Sequence, residues 1–292
     1  MIHPQLQQFI NLIVLLLFGK YMGYIYLSYL EIMGILLFTL LVEQVLLFVR
    51  ENAYTHISFS SMTTAMGVIL MTVTLHYYLY FVIIALALIQ KHFLKIGRDH
   101  FFNPSNFALI IGLGLFYDNI HIVMGQLGDD VIINILIILL AGLILYRVKR
   151  LVIPLVFIPV YLFMQYLFIV STDPILIMDD IYFRLYSLSF IVFVAFMITD
   201  PKTTPDSKTS QIVFSLIIAI GATLLDYFIG FRVQHLFMVL FLLTPLFIIF
   251  KHSKNIWDNK KDFYLTITVL SLALSVIIFI ELKAPYYFEM NG

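Results

Sequence analysis

Two polar stretches interrupt an otherwise apolar chain, and their residue types suit ligand binding better than contact with lipid. The first, GRDHFFNPSNFAL from Gly97 to Leu109, sets Arg98, Asp99 and His100 directly against Phe101-Phe102 and turns through Asn103 and Pro104 toward Asn106. Pro104 suits the first turn of a helix, where its missing N–H is no loss, and Asn103 suits the N-cap before it. The second, MITDPKTTPDSK from Met197 to Lys208, puts Asp200 and Pro201 in the corresponding places, with hydroxyls at Thr199, Thr203 and Thr204 and a charge at Lys202. Helix N-termini concentrate partial positive charge and unsatisfied N–H groups, so a pair of such corners would receive an anionic or strongly dipolar ligand. Taken singly, Asn103 and Asp200 read equally well as plain helix caps. Arg98 and Lys202 would draw in an anionic head group such as a flavin phosphate.

Glu43 is the ion-handling candidate. It lies inside the apolar run LLFTLLVEQVLLFV, at a depth where an ionised carboxylate costs roughly 2.5–3.5 kcal/mol unless it is paired or near the surface. Two readings stand: an interfacial structural role near Arg50, or the handling of an ion or proton. Asp226 reads as an interfacial anion within reach of Arg232. Spacing makes no metal or haem site, since His92 and His100 are eight residues apart across a break and His235 stands alone in its helix. No self-contained catalytic constellation is present.

The elements that must position these residues are membrane helices. Of 292 residues 62% are hydrophobic and 12% charged, against roughly 25% charged for a soluble domain. This composition predicts an all-α, polytopic transmembrane bundle forming one domain over residues 1–292, embedded in the bilayer. Zero net charge excludes the electrostatic footprint of a nucleic-acid partner. Without cysteine the chain holds no disulfide and no thiolate-bound zinc or iron–sulfur cluster. The apolar runs predict spans at Phe9–Leu27, Leu30–Val49, Ile57–Leu75, Tyr77–Phe93, Pro104–Tyr117, Val131–Tyr146, Leu151–Val170, Phe183–Met197, Gln211–Ile229, Val233–Phe250 and Phe263–Ile280. That makes about 10–11 spans, with the two corners as interruptions or half-helices. The segment from Pro104 is short for a ~30 Å hydrocarbon layer at about 1.5 Å per residue. The 18 tyrosines and 28 phenylalanines are expected mostly at lipid-facing or interfacial positions.

Alternating the spans collects thirteen of the 17 Lys and Arg on one side, leaving Lys20, Arg184, Arg232 and Lys283 on the other with Asp118, Asp129, Asp130, Asp173, Asp179 and Asp180. The thirteen mark the cytoplasmic side, which places the N-terminus and both corners there. No Lys or Arg precedes the first apolar run, so that helix is expected to be retained rather than cleaved.

GRDHFFNPSNF followed about a hundred residues later by FMITDPKTTPDSKTSQIVF resembles the membrane family that contains the D subunit of the Rnf electron-transport complex and the B subunit of sodium-translocating NADH:quinone reductase. Glu43, Lys91 and the stretch GFRVQHLFMVLF are similar to the short enediyne-biosynthesis UnbU branch. The resemblance runs from about Leu30 to Phe250 and implies a bacterial inner-membrane protein working in flavin- or quinone-linked electron transport, with ion coupling, beside redox-complex subunits or as a homo-oligomer. The larger members carry FMN on the threonine of a Ser-Gly-Ala-Thr motif between the two corners. Here the only GAT is Gly221-Ala222-Thr223, after the second corner and inside an apolar span, and the Gly-Glu-Thr-Ser motif is missing too. Covalent FMN is therefore not expected, whereas noncovalent FMN, riboflavin or quinone remains open. The competing class is a transporter or pore for a small solute, built on paired interrupted helices, and a third is a scaffold for a soluble enzyme.

Overall fold

A computed structural model describes residues 4–52, 54, 58–97, 99–122, 131–172 and 175–283, the side chains of residues 4, 51, 131–138 and 255 excepted. Its helices are α1 (Pro4–Tyr21), α2 (Tyr29–Glu51), α3 (Phe59–Met71), α4 (Tyr78–Phe93), α5 (Pro104–Leu115), α6 (Val131–Arg147), α7 (Val152–Gln165), α8 (Met178–Leu185), α9 (Leu188–Val192), α10 (Lys208–Ile229), α11 (Gln234–Lys251), α12 (Ser253–Asp258) and α13 (Lys260–Lys283). Wider π turns extend α7 through Tyr166–Val170 and α9 through Phe193–Met197. Each expected span contains one helix except the eighth, which holds the end of α8 and all of α9, and among the described residues five segments are long and apolar enough to cross a membrane: Tyr29–Arg50, Val152–Val170, Lys208–Ile229, Gln234–Lys251 and Lys260–Lys283. The protein is an all-α polytopic bundle.

Three spans differ from their sequence-based limits, each for a local reason. The third is helical only to Met71, because the β-branched Thr72-Val73-Thr74 run favours extended backbone. That strand, β1, pairs antiparallel with β4 (Ile120–Ile122), which follows α5, in the register Thr72↔Ile122. The 13- and 12-residue helices α3 and α5 rise only about 20 and 18 Å. The ladder then satisfies backbone groups beyond their ends. The eighth span breaks at Ser187, whose Oγ accepts the Phe190 N–H at 3.1 Å and donates to the Arg184 carbonyl at 2.7 Å, separating α8 from α9. The first span ends at Tyr21, where Gly23 takes φ +79° and Lys20 Nζ donates to the Ile25 and Leu27 carbonyls.

Aromatic rings fill the core more than a lipid-facing assignment allows: Phe101, Phe102, Phe157, Phe193, Phe214, Phe237 and Phe241 are fully buried. α10 packs along α7, α1 along α3, and α4 along α5. Gly67 of α3 lets Ser105 of α5 approach so closely that an added Cβ would meet the Ser105 Oγ at 2.7 Å.

Candidate functional site

The first corner is a hairpin followed by a helix start. Strand β2 (Lys95–Ile96) pairs antiparallel with β3 (Asp99–His100), entered through Gly97 at φ +61°, a left-handed conformation that glycine adopts without a Cβ clash. Asn103 is the N-cap of α5: its Oδ1 accepts the Asn106 N–H at 3.1 Å, and Pro104 fills the first turn. This segment dips into the bundle. Asp99 pairs with Lys251 at 3.0 Å and His252 at 2.9 Å, at the end of α11. Phe102 stacks on Phe241, about 15 Å earlier along that helix, and Asn106 Nδ2 donates to the Phe237 carbonyl at 3.1 Å. The corner thus runs from the lysine-rich end of the bundle to well inside it.

The second corner meets the first there. Asn103 Nδ2 donates to Asp200 Oδ2 at 3.1 Å, across 97 residues of sequence. Asp200 differs from the expected helix cap. Among the described residues its Oδ1 accepts the Lys202 N–H at 3.1 Å, while α10 is capped by Ser207, whose Oγ accepts from Ser210 N at 3.1 Å. The TDPKTTPDS run prevents an earlier start, because each X-Pro step disfavours helical backbone. Thr204 donates to the Asp200 carbonyl at 2.7 Å and Thr199 to Ala195 at 2.8 Å, so both hydroxyls secure the loop; Thr203 is buried beside them.

Arg150, between α6 and α7, clamps this loop. Its Nε donates to Thr204 Oγ1 at 2.9 Å and a guanidinium N–H to Asp206 at 2.6 Å. Lys251 lies 3.5 Å from Asp206 as well as 3.0 Å from Asp99, tying the two corners together at their outer edge. In the sequence Arg150 and Lys251 stand out only as two of the thirteen charges on the lysine-rich side.

Both corners line one cavity of about 240 Å³ with α1, α3, α6 and α9. His100, Asn103, Pro104, Thr199, Asp200, Pro201 and Lys202 are on its wall, opposite Gln5, Gln8, Ser60 and Thr63. Asn106 faces α11 rather than the cavity, Asp99 faces Lys251, and Arg98 lies outside the described residues, as do Asp129, Asp130 and Asp173. Burial, reinforced by Lys202, Lys91 and Lys95, pushes the His100 imidazolium pKa down to about 3, so the ring is neutral at pH 7. Its nitrogens have no hydrogen-bond partner among the described residues. Burial raises the Asp200 carboxyl, opposed by the Lys202 N–H and charge and by the Asn103 amide.

Glu43 sits elsewhere, 3% exposed, with Lys91 Nζ at 3.0 Å, His92 Nε2 at 3.1 Å and Ser58 Oγ at 3.1 Å. Its partners come from α4 and the start of α3; Arg50 donates instead to the His92 carbonyl. Asp226 is likewise not an interfacial anion facing the Arg232 side chain. It is 2% exposed and accepts from Arg184, Gln165, His235 and the Arg232 backbone. Thr223 is fully buried and donates to the Ala219 carbonyl at 2.9 Å, a helix-packing position. Among the described residues no three His, Asp or Glu side chains are placed to hold a metal ion.

A bundle of apolar helices, with two polar loops folded inward onto one cavity, defines a polytopic integral membrane protein. The chain belongs to the NQR2, RnfD, RnfE family, whose model matches residues 94–257, a region that contains both corners but not Glu43 or Lys91. No curated protein and no solved structure matches the chain.

Proposed function

We propose that this protein is the membrane subunit of an Rnf- or Nqr-type electron-transport system, and that the cavity between its corners binds a redox ring noncovalently. The observation that carries the reading is the Asn103–Asp200 contact at 3.1 Å on the wall of the 240 Å³ cavity. Just below the range of drug-sized ligand pockets, which starts at about 300 Å³, that space fits a quinone head group or one edge of a riboflavin or FMN ring better than an entire nucleotide. Such a ring would supply the electron chemistry. The chain's own residues bind and orient it: the neutral His100 offers one donor and one acceptor, and the exposed Lys202 offers positive charge at the mouth. Phe196 and Met197 provide apolar wall, while Asp200 fixes the Asn103 amide.

Covalent FMN does not fit, because the Thr223 hydroxyl is buried in helix packing. That mismatch, with the missing Ser-Gly-Ala-Thr and Gly-Glu-Thr-Ser motifs, supports placement in the short UnbU-like branch. The protein works in the bacterial inner membrane with its lysine-rich end cytoplasmic, beside redox subunits or as a homo-oligomer. A second reading, a small-solute transporter, is favoured by the cavity's position between the short helices α3 and α5.

Purification in mild detergent followed by a visible spectrum and organic extraction separates the two. A flavin absorbing near 450 nm, or an extractable quinone near one equivalent, supports the redox reading. A colourless, quinone-free protein that neither ligand stabilises thermally would leave the transporter.

A further inference from the structure

At the end of the bundle away from the corner cavity, five elements bring charged side chains into one buried cluster. Asp226 of α10 is saturated there. Its Oδ2 accepts from Arg184 of α8 at 2.6 Å and Gln165 of α7 at 2.7 Å; its Oδ1 accepts from His235 Nδ1 at 2.8 Å and the Arg232 N–H at 3.0 Å. Arg184 is held further by the Tyr161 hydroxyl at 2.6 Å and by the face of Phe231, 3.4 Å from the ring centroid. This half of the cluster is an ion pair with its hydrogen bonds met, as a buried charge requires.

The other half is not met. His235 is fully buried, and its Nδ1–H is committed to Asp226, so in the neutral ring Nε2 is an acceptor with a free lone pair. Among the described residues that nitrogen has no hydrogen bond; it lies nearest Glu281 of α13, whose Oε1 is 3.7 Å away, beyond hydrogen-bond distance. Both Glu281 oxygens are buried and lack hydrogen-bond partners among the described residues, with an Arg232 nitrogen 3.6 Å from Oε2. Two acceptors facing each other across a gap lack one proton between them.

We propose that His235 and Glu281 form a proton-binding site joining α11 to α13 at the end of the bundle opposite the corner cavity. A hydronium ion gives up its proton and leaves as water, and an N–H bond forms at His235 Nε2. The imidazolium then donates to Glu281 Oε1 while Nδ1–H stays on Asp226. Arg184 and Asp226 balance each other, so the site accepts this proton against a neutral background formed with Arg232 and Glu281. A metal cation fits less well, because two guanidinium groups already occupy the cluster. The Glu281 side chain is 17% exposed, through its stem, since both of its carboxylate oxygens are buried. Asn106 of the first corner binds the Phe237 carbonyl, less than one turn of α11 from His235, so the same helix touches this cluster and the first corner. The site does not depend on which ligand the cavity takes.

The test is a pH titration of the full chain in nanodiscs with 15N-labelled histidine, the His235 ring signals being assigned by their loss in His235→Gln. The expected result is a change from doubly protonated ring to one tautomer within roughly pH 5–9, with the midpoint falling by about one unit or more in Glu281→Gln, since an opposite charge nearby favours the charged ring. A His235 ring that keeps one protonation state across that range in the wild type overturns the proposal. So does a midpoint unmoved by Glu281→Gln; if that variant does not fold, Glu281→Asp, which lengthens the gap, should lower the midpoint instead.

Discussion

Replacing Asn103 by alanine removes two interactions at once, the cap on α5 and the donor to Asp200. The cap is worth about 1 kcal/mol. A hydrogen bond to a carboxylate contributes about 1.5–3 kcal/mol when buried, and about 1 here because Asp200 is only half-buried. Asn103→Ala should therefore cost about 2 kcal/mol. Asp200→Ala loses the same bond together with the one from the Lys202 N–H, again about 2 kcal/mol. Because one bond is counted in both, the double variant should cost about 3 rather than 4 kcal/mol, a coupling of about 1 kcal/mol. The assay is denaturant unfolding of the four proteins in mild detergent, followed by circular dichroism. Costs that add to within about 0.3 kcal/mol would show that the two corners do not touch, since that is how independent sites behave.

Three further outcomes follow from the same geometry. His100 is neutral in the fold because its pKa is pushed down to about 3; below about pH 6.5 the unfolded chain binds the proton that the fold refuses, so stability falls as pH drops from there toward 3. His100→Gln should flatten that loss in a series of melting curves. Gly67→Ala should cost about 1–3 kcal/mol through overpacking against Ser105 and weaken ligand binding with it; an unchanged melting temperature would contradict the close approach of α3 and α5. Arg150→Lys keeps the charge but loses the planar fork that reaches Thr204 and Asp206 together, so limited proteolysis should cut the 198–207 loop faster than in wild type.

The sequence made the class legible because lipid imposes long apolar runs, and it marked both corners because Asn-Pro and Asp-Pro with flanking charges have no place in a lipid-facing helix. It also gave the Asn103 cap, which is a local matter. It did not give the Ser207 cap, since Asp200-Pro201 looks the same in sequence whether a helix or a turn follows. Glu43 was visible as a costly charge, but its partners Lys91 and His92 are 48 and 49 residues away, beyond any local periodicity. The Arg184–Asp226–His235–Glu281 cluster escaped for the same reason: its members come from four helices, and only the packing of α8, α10, α11 and α13 brings them together. The end of α3 is misplaced because the β-branched run Thr72–Thr74 reads as membrane helix by hydropathy and as strand by backbone preference.

The most direct measurement is equilibrium binding of riboflavin and of a short-chain quinone to the ligand-stripped protein, in wild type, Asn103→Ala, Asp200→Ala and Lys202→Gln. One of the two ligands should bind the wild type near one equivalent. Asn103→Ala and Asp200→Ala should each weaken it at least tenfold, whereas Lys202→Gln should weaken binding of an anionic form of the ligand most at low salt, where charge interactions act unscreened beyond about 10 Å. Wild-type affinity in both Asn103→Ala and Asp200→Ala would contradict a shared site at the two corners.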